Sequence, residues 1–145
     1  MKILEIKRTE TTIVAVGEER PPWVKPRVTA APKLRQLYWC DFPKDAQLPE
    51  FWKTRSVLIM SFRNTLRGAV TVIPCSGQDQ PGNKWAYKLT KTIDGNPSWA
   101  ICDKPTTLAV SRLTPGKNGI VRVTEDEYKE VLAMMLNWLT PGNPN

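Results

Sequence analysis

Residues 56–75 read SVLIMSFRNTLRGAVTVIPC, two apolar runs joined by a polar segment that contains a glycine. Apolar runs of this length, rich in β-branched residues and bounded by turn-forming residues, are typical of β-strands. The stretch therefore predicts two strands, at 56–62 and 69–75.

Shorter runs of the same kind lie on both sides of this pair. They are residues 37–42, 85–89, 98–103 and 120–123. The turns Gln80-Pro81-Gly82-Asn83 and Asp94-Gly95-Asn96-Pro97 separate some of them and have the residue types of antiparallel hairpins. The sequence predicts a mainly β fold, a small antiparallel barrel or sandwich.

A single helix is predicted after the last strand. Thr124 and Glu127 have the spacing of a capping box, and Pro141-Gly142 ends the segment. Apolar residues recur at helical spacing and form one stripe, which predicts packing on the sheet: Tyr128, Val131, Leu132, Met135, Leu136 and Leu139. The other face is acidic, so we expect the helix to lie away from any groove that binds a polyanion.

Residues 1–35 differ from the rest of the chain. Segments 3–6 and 11–16 could pair as short strands, but Pro21, Pro22, Pro26 and Pro32 then interrupt the chain. We predict an N-terminal extension and linker at 1–35 that is dispensable for folding, followed by the barrel domain at 36–145. Its role as a functional arm or a solvated tail stays open.

Composition narrows the class of function. The formal net charge is +7 and the pI is near 9.5, which favours a polyanionic partner such as nucleic acid. The chain has no histidine, and its three cysteines are widely spaced without a CxxC pair, which argues against zinc sites and histidine-based catalysis. No signal-peptide pattern is present, and no apolar run approaches the roughly 20 residues of a membrane span. We expect a cytoplasmic protein without metal, with reduced, buried thiols.

Without histidine or metal, cleavage of an RNA phosphodiester would depend on arginine to stabilise the developing charge. A carboxylate or hydroxyl would orient the ribose 2′-OH. Residues 48–60 begin as a proline-containing loop and end as an apolar strand, which puts Glu50 in the loop and Arg55 at the start of the strand. The alternative for Arg55 is a surface ion pair with Glu50.

Four ordered motifs over about residues 36–113 resemble the MazF/PemK family of type II toxin–antitoxin toxins. They are Tyr38-Trp39-Cys40-Asp41-Phe42, Arg55-Ser56-Val57-Leu58-Ile59-Met60-Ser61, Val72-Ile73-Pro74-Cys75-Ser76-Gly77-Gln78 and Ala100-Ile101-Cys102-Asp103-Lys104-Pro105. The chain departs from the family pattern at Ile101 and Thr106, where PemK-type members carry arginine. It also has Ser56 where proline is usual, and no glycine in Leu34-Arg35-Gln36, where the family has one.

The resemblance implies a mainly β fold, a small SH3-like, CcdB/MazF-type antiparallel β-barrel with a C-terminal α-helix. It also implies a metal-independent endoribonuclease activity. Arg55 falls on the family's catalytic arginine, Ser76 on its catalytic hydroxyl, Glu50 on a loop acid and Asp103 on the acid that acts as a base. The implied reaction is attack of the 2′-OH on the adjacent phosphate, which gives a 2′,3′-cyclic phosphate and a 5′-hydroxyl without any cofactor. Ser76 and Asp103 are also favourable turn residues, which is a purely structural alternative.

Basic and polar residues near these positions are predicted to bind RNA, with a solvated surface as the alternative for each basic one. The predicted RNA-binding residues are Trp52, Lys53, Arg63, Arg67, Gln78 and Lys104. Trp52 could stack on an unpaired base or close the loop onto the barrel, and we expect Phe51 to do the latter. Trp39, Trp85 and Trp99 lie in apolar runs and are expected in the core or an interface.

The resemblance also implies partners: single-stranded RNA, a cognate antitoxin that blocks the groove, and a second copy of the chain in a homodimer. Two alternatives of another class remain on the same barrel. One is a non-catalytic binding module, and the other is a gyrase-inhibiting toxin like the CcdB proteins.

Overall fold

The computed structural model describes residues 19–142 in full. It also describes the backbone of two short strands, β1 (Ile6–Thr9) and β2 (Thr12–Ala15), which pair antiparallel. The sequence leaves open two short strands in this region, at 3–6 and 11–16. Residues 3–5, 11 and 16 of those ranges lie outside the described residues.

The remaining elements are strands followed by one helix. They are β3 (Gln36–Asp41), β4 (Thr54–Ile59), β5 (Ala69–Ser76), β6 (Ala86–Lys88), β7 (Trp99–Ile101), β8 (Thr106–Ala109), a 3₁₀ turn (Val110–Arg112), β9 (Leu113–Thr114), β10 (Val121–Arg122) and α1 (Glu125–Leu139). Strands β10-β3-β4-β5-β7-β6 are neighbours in that order, while β8 pairs with β5 and β9 with β3, all antiparallel. The predicted mainly β fold with a C-terminal helix is confirmed.

The long strand β5 makes the sheet curl into a half-barrel. Its first half pairs with β8, its middle with β4, and its last residues, Cys75 and Ser76, with β7. Strands β8 and β9 were not predicted from the sequence. Both segments are short and partly polar, so they have little strand signal of their own. They form strands because β8 pairs with β5 and β9 pairs with β3.

Both faces of the central strands are buried, which explains the unbroken apolar run from which the fold was predicted. Val57 and Ile59 point into an inner core inside the curl, with Tyr38 among its members. Leu58 and Ile73 belong to an outer core on the opposite face. Neighbouring residues of a strand point to opposite faces, so a strand covered on both sides is apolar throughout.

Helix α1 covers the outer core. Val131 is fully buried there, but Leu136 and Leu139 of the predicted stripe are exposed, so only the first part of the stripe packs on the sheet. The hydroxyl oxygen of Thr124 accepts from the Glu127 N–H at 3.2 Å, as in a capping box. The Glu127 carboxylate does not return this bond; it accepts from the N–H of Thr90, at 3.0 and 3.1 Å.

Arg35 has a φ of 74°, in the left-handed region where glycine is usual. An L-residue in this left-handed conformation costs about 1–2 kcal/mol. Two hydrogen bonds of Arg35 offset this cost, and glycine could form only the one from the backbone N–H. The Arg35 guanidinium donates to the Val123 carbonyl at 2.9 Å, and the backbone N–H of Arg35 donates to the Ile59 carbonyl at 3.0 Å.

The last part of the predicted linker contacts the barrel. Val28 is buried in the inner core, and the Asn64 side chain donates to the Pro32 carbonyl at 3.0 Å. Arg27 forms an ion pair with Asp41 at 2.8 Å. The pKa of Asp41 is lowered, most by the hydrogen bond from Thr54 and second by the hydrogen bond from Arg27. Residues 27–35 therefore do more than connect the extension to the barrel.

Candidate functional site

The strand register brings Arg55 and Ser76 together. In the β4–β5 ladder Val57 is opposite Pro74 and Leu58 is opposite Ile73. Continuing this register by two residues brings Arg55 opposite Ser76. Directly opposed residues of antiparallel strands share a face, with Cβ atoms about 4.5–5.5 Å apart. Two side chains that are distant in the sequence thus meet at one rim of the half-barrel.

A cleft of about 330 Å³ opens at this rim. It contains six of the residues for which the sequence predicts a function: Glu50, Trp52, Arg55, Ser76, Gln78 and Lys104. The other residues that line it are Leu48, Pro49, Phe51, Gln80, Asn83 and Ile101. One loop, the end of β5 with the turn after it, and the β7–β8 connection each contribute one wall.

Arg55 has no acidic partner in the part of the chain that the structure describes. Its Nε donates to the Trp52 carbonyl at 3.2 Å, and its guanidinium carbon lies 5.9 Å from the centre of the Phe51 ring. No carboxylate oxygen of residues 19–142 lies within 4.0 Å of its nitrogens, so the alternative of an ion pair with Glu50 is not observed. The guanidinium can therefore bind an external anion.

The Ser76 hydroxyl oxygen accepts two hydrogen bonds. It accepts from the Gln78 N–H at 3.2 Å and from the Gln80 amide at 3.1 Å. Within residues 19–142 the Ser76 proton meets only the Gln78 carbonyl, at a long 3.5 Å. Since both lone pairs of the oxygen are engaged, Ser76 can offer its proton to a ligand but is poorly placed to accept one.

Gln80 and Asn83 are the cleft residues that the sequence analysis missed. The Asn83 amide donates to the Gln80 side-chain oxygen at 3.2 Å, which orients the Gln80 amide nitrogen toward Ser76. Their signal was present in the sequence, because Ser76, Gln78 and Gln80 are spaced two apart and the predicted turn ends at Asn83. Read only as turn residues, they gave no indication of a site.

The two predicted acids differ in their surroundings. Glu50 is exposed, and its carboxylate accepts from the Gln47 N–H at 2.7 Å, so it stabilises its own loop. Asp103 lines an adjoining depression of about 720 Å³, which shares Glu50, Phe51 and Lys104 with the cleft. Its Oδ2 is 3.5 Å from the Lys104 ammonium. Its Oδ1 is buried without a hydrogen-bond partner among the described residues.

Comparison with known proteins identifies the family of the chain. The family of the PemK-like, MazF-like toxins of type II toxin–antitoxin systems matches residues 33–139. The chain belongs to this family. No curated protein sequence matches it.

Solved structures share the fold at low sequence identity. MazF from Deinococcus radiodurans is 17% identical with a TM-score of 0.59, over 75% of this chain and 96% of that one. An endoribonuclease from a mycobacterial species, solved with its cognate antitoxin, is 18% identical with a TM-score of 0.58, over 79% and 100%. The Mycobacterium tuberculosis toxin MazF-mt6 is 18% identical with a TM-score of 0.54, over 72% and 96%. At these identities the likeness shows the fold.

The other predicted RNA-binding residues of this MazF-like chain lie outside the cleft. Lys53 stands next to it, with its ammonium 4.1 Å from the centre of the Trp52 ring. Arg63 and Arg67 lie in the loop between β4 and β5, at the opposite end of β4 from Arg55. Phe51 packs on the inner core, with its ring 5.9 Å from that of Phe42, as expected.

Cysteine chemistry does not contribute to the site. Cys40, Cys75 and Cys102 are free and buried, and burial raises the pKa of each thiol to about 12. The reactive thiolate is therefore suppressed near neutral pH, even in Cys75 beside Ser76. Among the described residues no group of three or more His, Cys, Asp or Glu side chains could hold a metal ion. None of the described helices is long and apolar enough to cross a membrane.

Proposed function

We propose that this toxin is a metal-independent endoribonuclease that cleaves single-stranded RNA by attack of a ribose 2′-OH on the adjacent phosphate. The observation that supports it best is that Arg55 lines the same cleft as Ser76 and has no acidic partner among the described residues. Cleavage of a phosphodiester builds up negative charge on the phosphate oxygens in the transition state. A free guanidinium can stabilise this charge.

In the proposed reaction the 2′ oxygen forms a bond to phosphorus while the bond from phosphorus to the 5′ oxygen breaks. Arg55 stabilises the charge on the non-bridging oxygens. Ser76 donates its proton in a hydrogen bond to one of these oxygens, because its own oxygen is already engaged by Gln78 and Gln80. The products are a 2′,3′-cyclic phosphate and a 5′-hydroxyl, and no cofactor takes part.

Asp103 is our candidate for the base. Its Oδ1 is buried, so Oδ2 would accept the 2′-OH proton, whereas the Glu50 carboxylate already accepts from the Gln47 N–H. Lys104, 3.5 Å from Asp103 and part of the cleft wall, would hold the phosphate within reach. The departing 5′ oxygen takes its proton from solvent. Glu50 then keeps the loop in place and has no proton-transfer role.

The surroundings of the cleft fit a single-stranded substrate. Trp52 lines the cleft, is 44% exposed and can stack on an unpaired base. Lys53, Lys104 and Gln78 would contact the backbone, and Arg63 and Arg67 could contribute only at long range. We further propose that the toxin acts in the cytoplasm as a homodimer, and that an acidic segment of a cognate antitoxin blocks the basic cleft.

The test is incubation of the purified protein with a mixed-sequence RNA in excess EDTA. We expect cleavage, and products with a 2′,3′-cyclic phosphate and a 5′-hydroxyl as identified by mass spectrometry. Activity that EDTA abolishes and a divalent ion restores would contradict the mechanism. A protein that cuts no RNA but inhibits gyrase, or only binds a protein partner, would favour the non-catalytic alternatives.

A further inference from the structure

The line of opposed residues that joins Arg55 to Ser76 continues across the sheet. Ser76 is opposite Trp99 in the β5–β7 ladder, and Trp99 is opposite Lys88 in the β6–β7 ladder. Opposed residues share a face, and neighbouring strands are about 4.8 Å apart. Trp99 therefore follows Ser76 one strand farther from Arg55, and Lys88 follows Trp99.

Trp99 lies on the cleft side of β7. It is two residues from Ile101, which lines the cleft, and residues spaced by two share a face of a strand. Trp99 is half-buried, yet within residues 19–142 neither core cluster includes it, in contrast to Trp39, which packs on the outer core. Trp99 was expected in the core or an interface, and it is not in the core that the described residues form.

Lys88 supplies a positive charge beside this ring. Its side chain is exposed, and its ammonium lies 5.7 Å from the centre of the Trp99 ring. An aromatic ring with an adjacent cation is the combination that sites for single-stranded nucleic acid use, because the ring stacks on a base and the cation attracts the phosphate. The pair thus has the chemistry of the cleft that it adjoins.

We propose that Trp99 and Lys88 form a nucleotide subsite beside the cleaved bond, with a base stacked on Trp99 and its phosphate at Lys88. This inference rests on the proposed function, since it assumes that the cleft binds RNA. The subsite would hold a base one nucleotide away from the phosphate that Arg55 contacts. It would therefore contribute affinity and some base preference, but no chemistry.

The experiment measures binding separately from cleavage. The bond that the parent protein cuts is mapped first, and an oligonucleotide with 2′-deoxyribose at that position then serves as a ligand that cannot be cleaved. Where the parent cuts no RNA, an unmodified oligonucleotide of mixed sequence serves. Affinity is measured for the parent, W99L, W99F and K88A. W23L and K129A are matched controls, because both residues are exposed and lie away from the cleft.

We expect W99L and K88A each to weaken binding about tenfold, within the range measured for loss of one stacked base. W99F should regain most of the affinity, and both controls should equal the parent. A set of ligands with one abasic position each should contain one position at which base loss weakens the parent but not W99L. That position should adjoin the cut bond.

Other results would overturn the subsite. Equal affinity of W99L and the parent for every ligand excludes stacking on Trp99. A changed oligomeric state of W99L in size-exclusion chromatography, or loss of a protein partner with RNA affinity intact, would assign this face to a protein interface. A further outcome is a parent that binds RNA and loses affinity at one abasic position where W99L does not, yet cuts no RNA. This result would overturn the proposed function but support the subsite.

Discussion

The two loops that flank β4 look alike in the sequence and have different roles in the structure. The leading loop, residues 42–53, ends in Trp52-Lys53, and the trailing loop, residues 60–68, contains Phe62-Arg63. Each offers an exposed aromatic residue followed by a basic one, with Trp52 44% and Phe62 76% exposed. The leading loop nevertheless forms a wall of the cleft, while the trailing loop contacts the linker through Asn64.

Strand direction explains the difference. Strand β5 runs antiparallel to β4, so it begins beside the trailing loop and ends beside the leading loop. Ser76, at the end of β5, can therefore meet only the start of β4, where Arg55 stands. The turn with Gln80 and Asn83 follows on the same side. Charge and aromatic content attract RNA, but the strand register decides which loop has a hydroxyl network opposite it.

The largest effect is expected at the leading-loop end of β4. R55A should lower the rate of RNA cleavage by about two or more orders of magnitude, as loss of other charge-stabilising donors does. Binding to the uncleavable oligonucleotide should change much less, because the interaction acts mainly on the transition state. Single-turnover kinetics measure the rate, and circular dichroism checks the fold. K129A, on α1, is the control for loss of one positive charge. Normal cleavage by R55A together with an inactive D103N would show that the residue roles are assigned wrongly.

The linker side should affect stability instead of rate. V28A removes two buried methyl groups from the inner core and should lower the free energy of unfolding by about 2 kcal/mol, while the cleavage rate per folded molecule stays unchanged. Urea denaturation measures the change. Deletion of residues 1–18 is the companion variant and should leave the midpoint within error. An unchanged midpoint for V28A would restore the initial expectation that the whole of 1–35 is dispensable.

The hydroxyl network gives a smaller effect that sharpens the comparison. S76A should cleave about tenfold more slowly, because water can replace part of the donated hydrogen bond. Q80L should lower kcat a few-fold with little change in KM, since Gln80 acts through Ser76. The double variant S76A/Q80L should be no slower than S76A. Additive losses would mean that Gln80 contacts RNA itself.

The smallest effect is expected from the trailing loop. K53A and K104A, beside the cleft, should each reduce the slope of log affinity against log salt concentration by about one. R63A and R67A should change the slope by much less and cleavage by no more than about twofold. Salt titrations of all four variants with the uncleavable oligonucleotide test this ranking. Equal slopes for the four would show that RNA crosses both loops.

Much of the fold was predictable because its signals are local. The apolar run at 56–60, the turn at Asp94-Gly95 and the cap at Thr124 all depend on residues close in sequence. The site was predicted only in part. Six of the residues predicted from the sequence line the cleft, but Gln80 and Asn83 were taken for turn residues. The predicted capping role of Glu127 also failed in part, because Thr90 offers its carboxylate a competing set of donors.

The sequence by itself determined the class of fold, its turns and helix start, and the basic character of the chain, because alternation, propensity and charge are properties of neighbouring residues. Only the tertiary structure decided that Arg55 stands opposite Ser76 and Trp99 beside Ser76. Such pairs depend on the register between strands, and packing on both faces of the sheet sets that register. The same packing placed Arg63 and Arg67 at the far end of β4 and buried Val28 in the inner core.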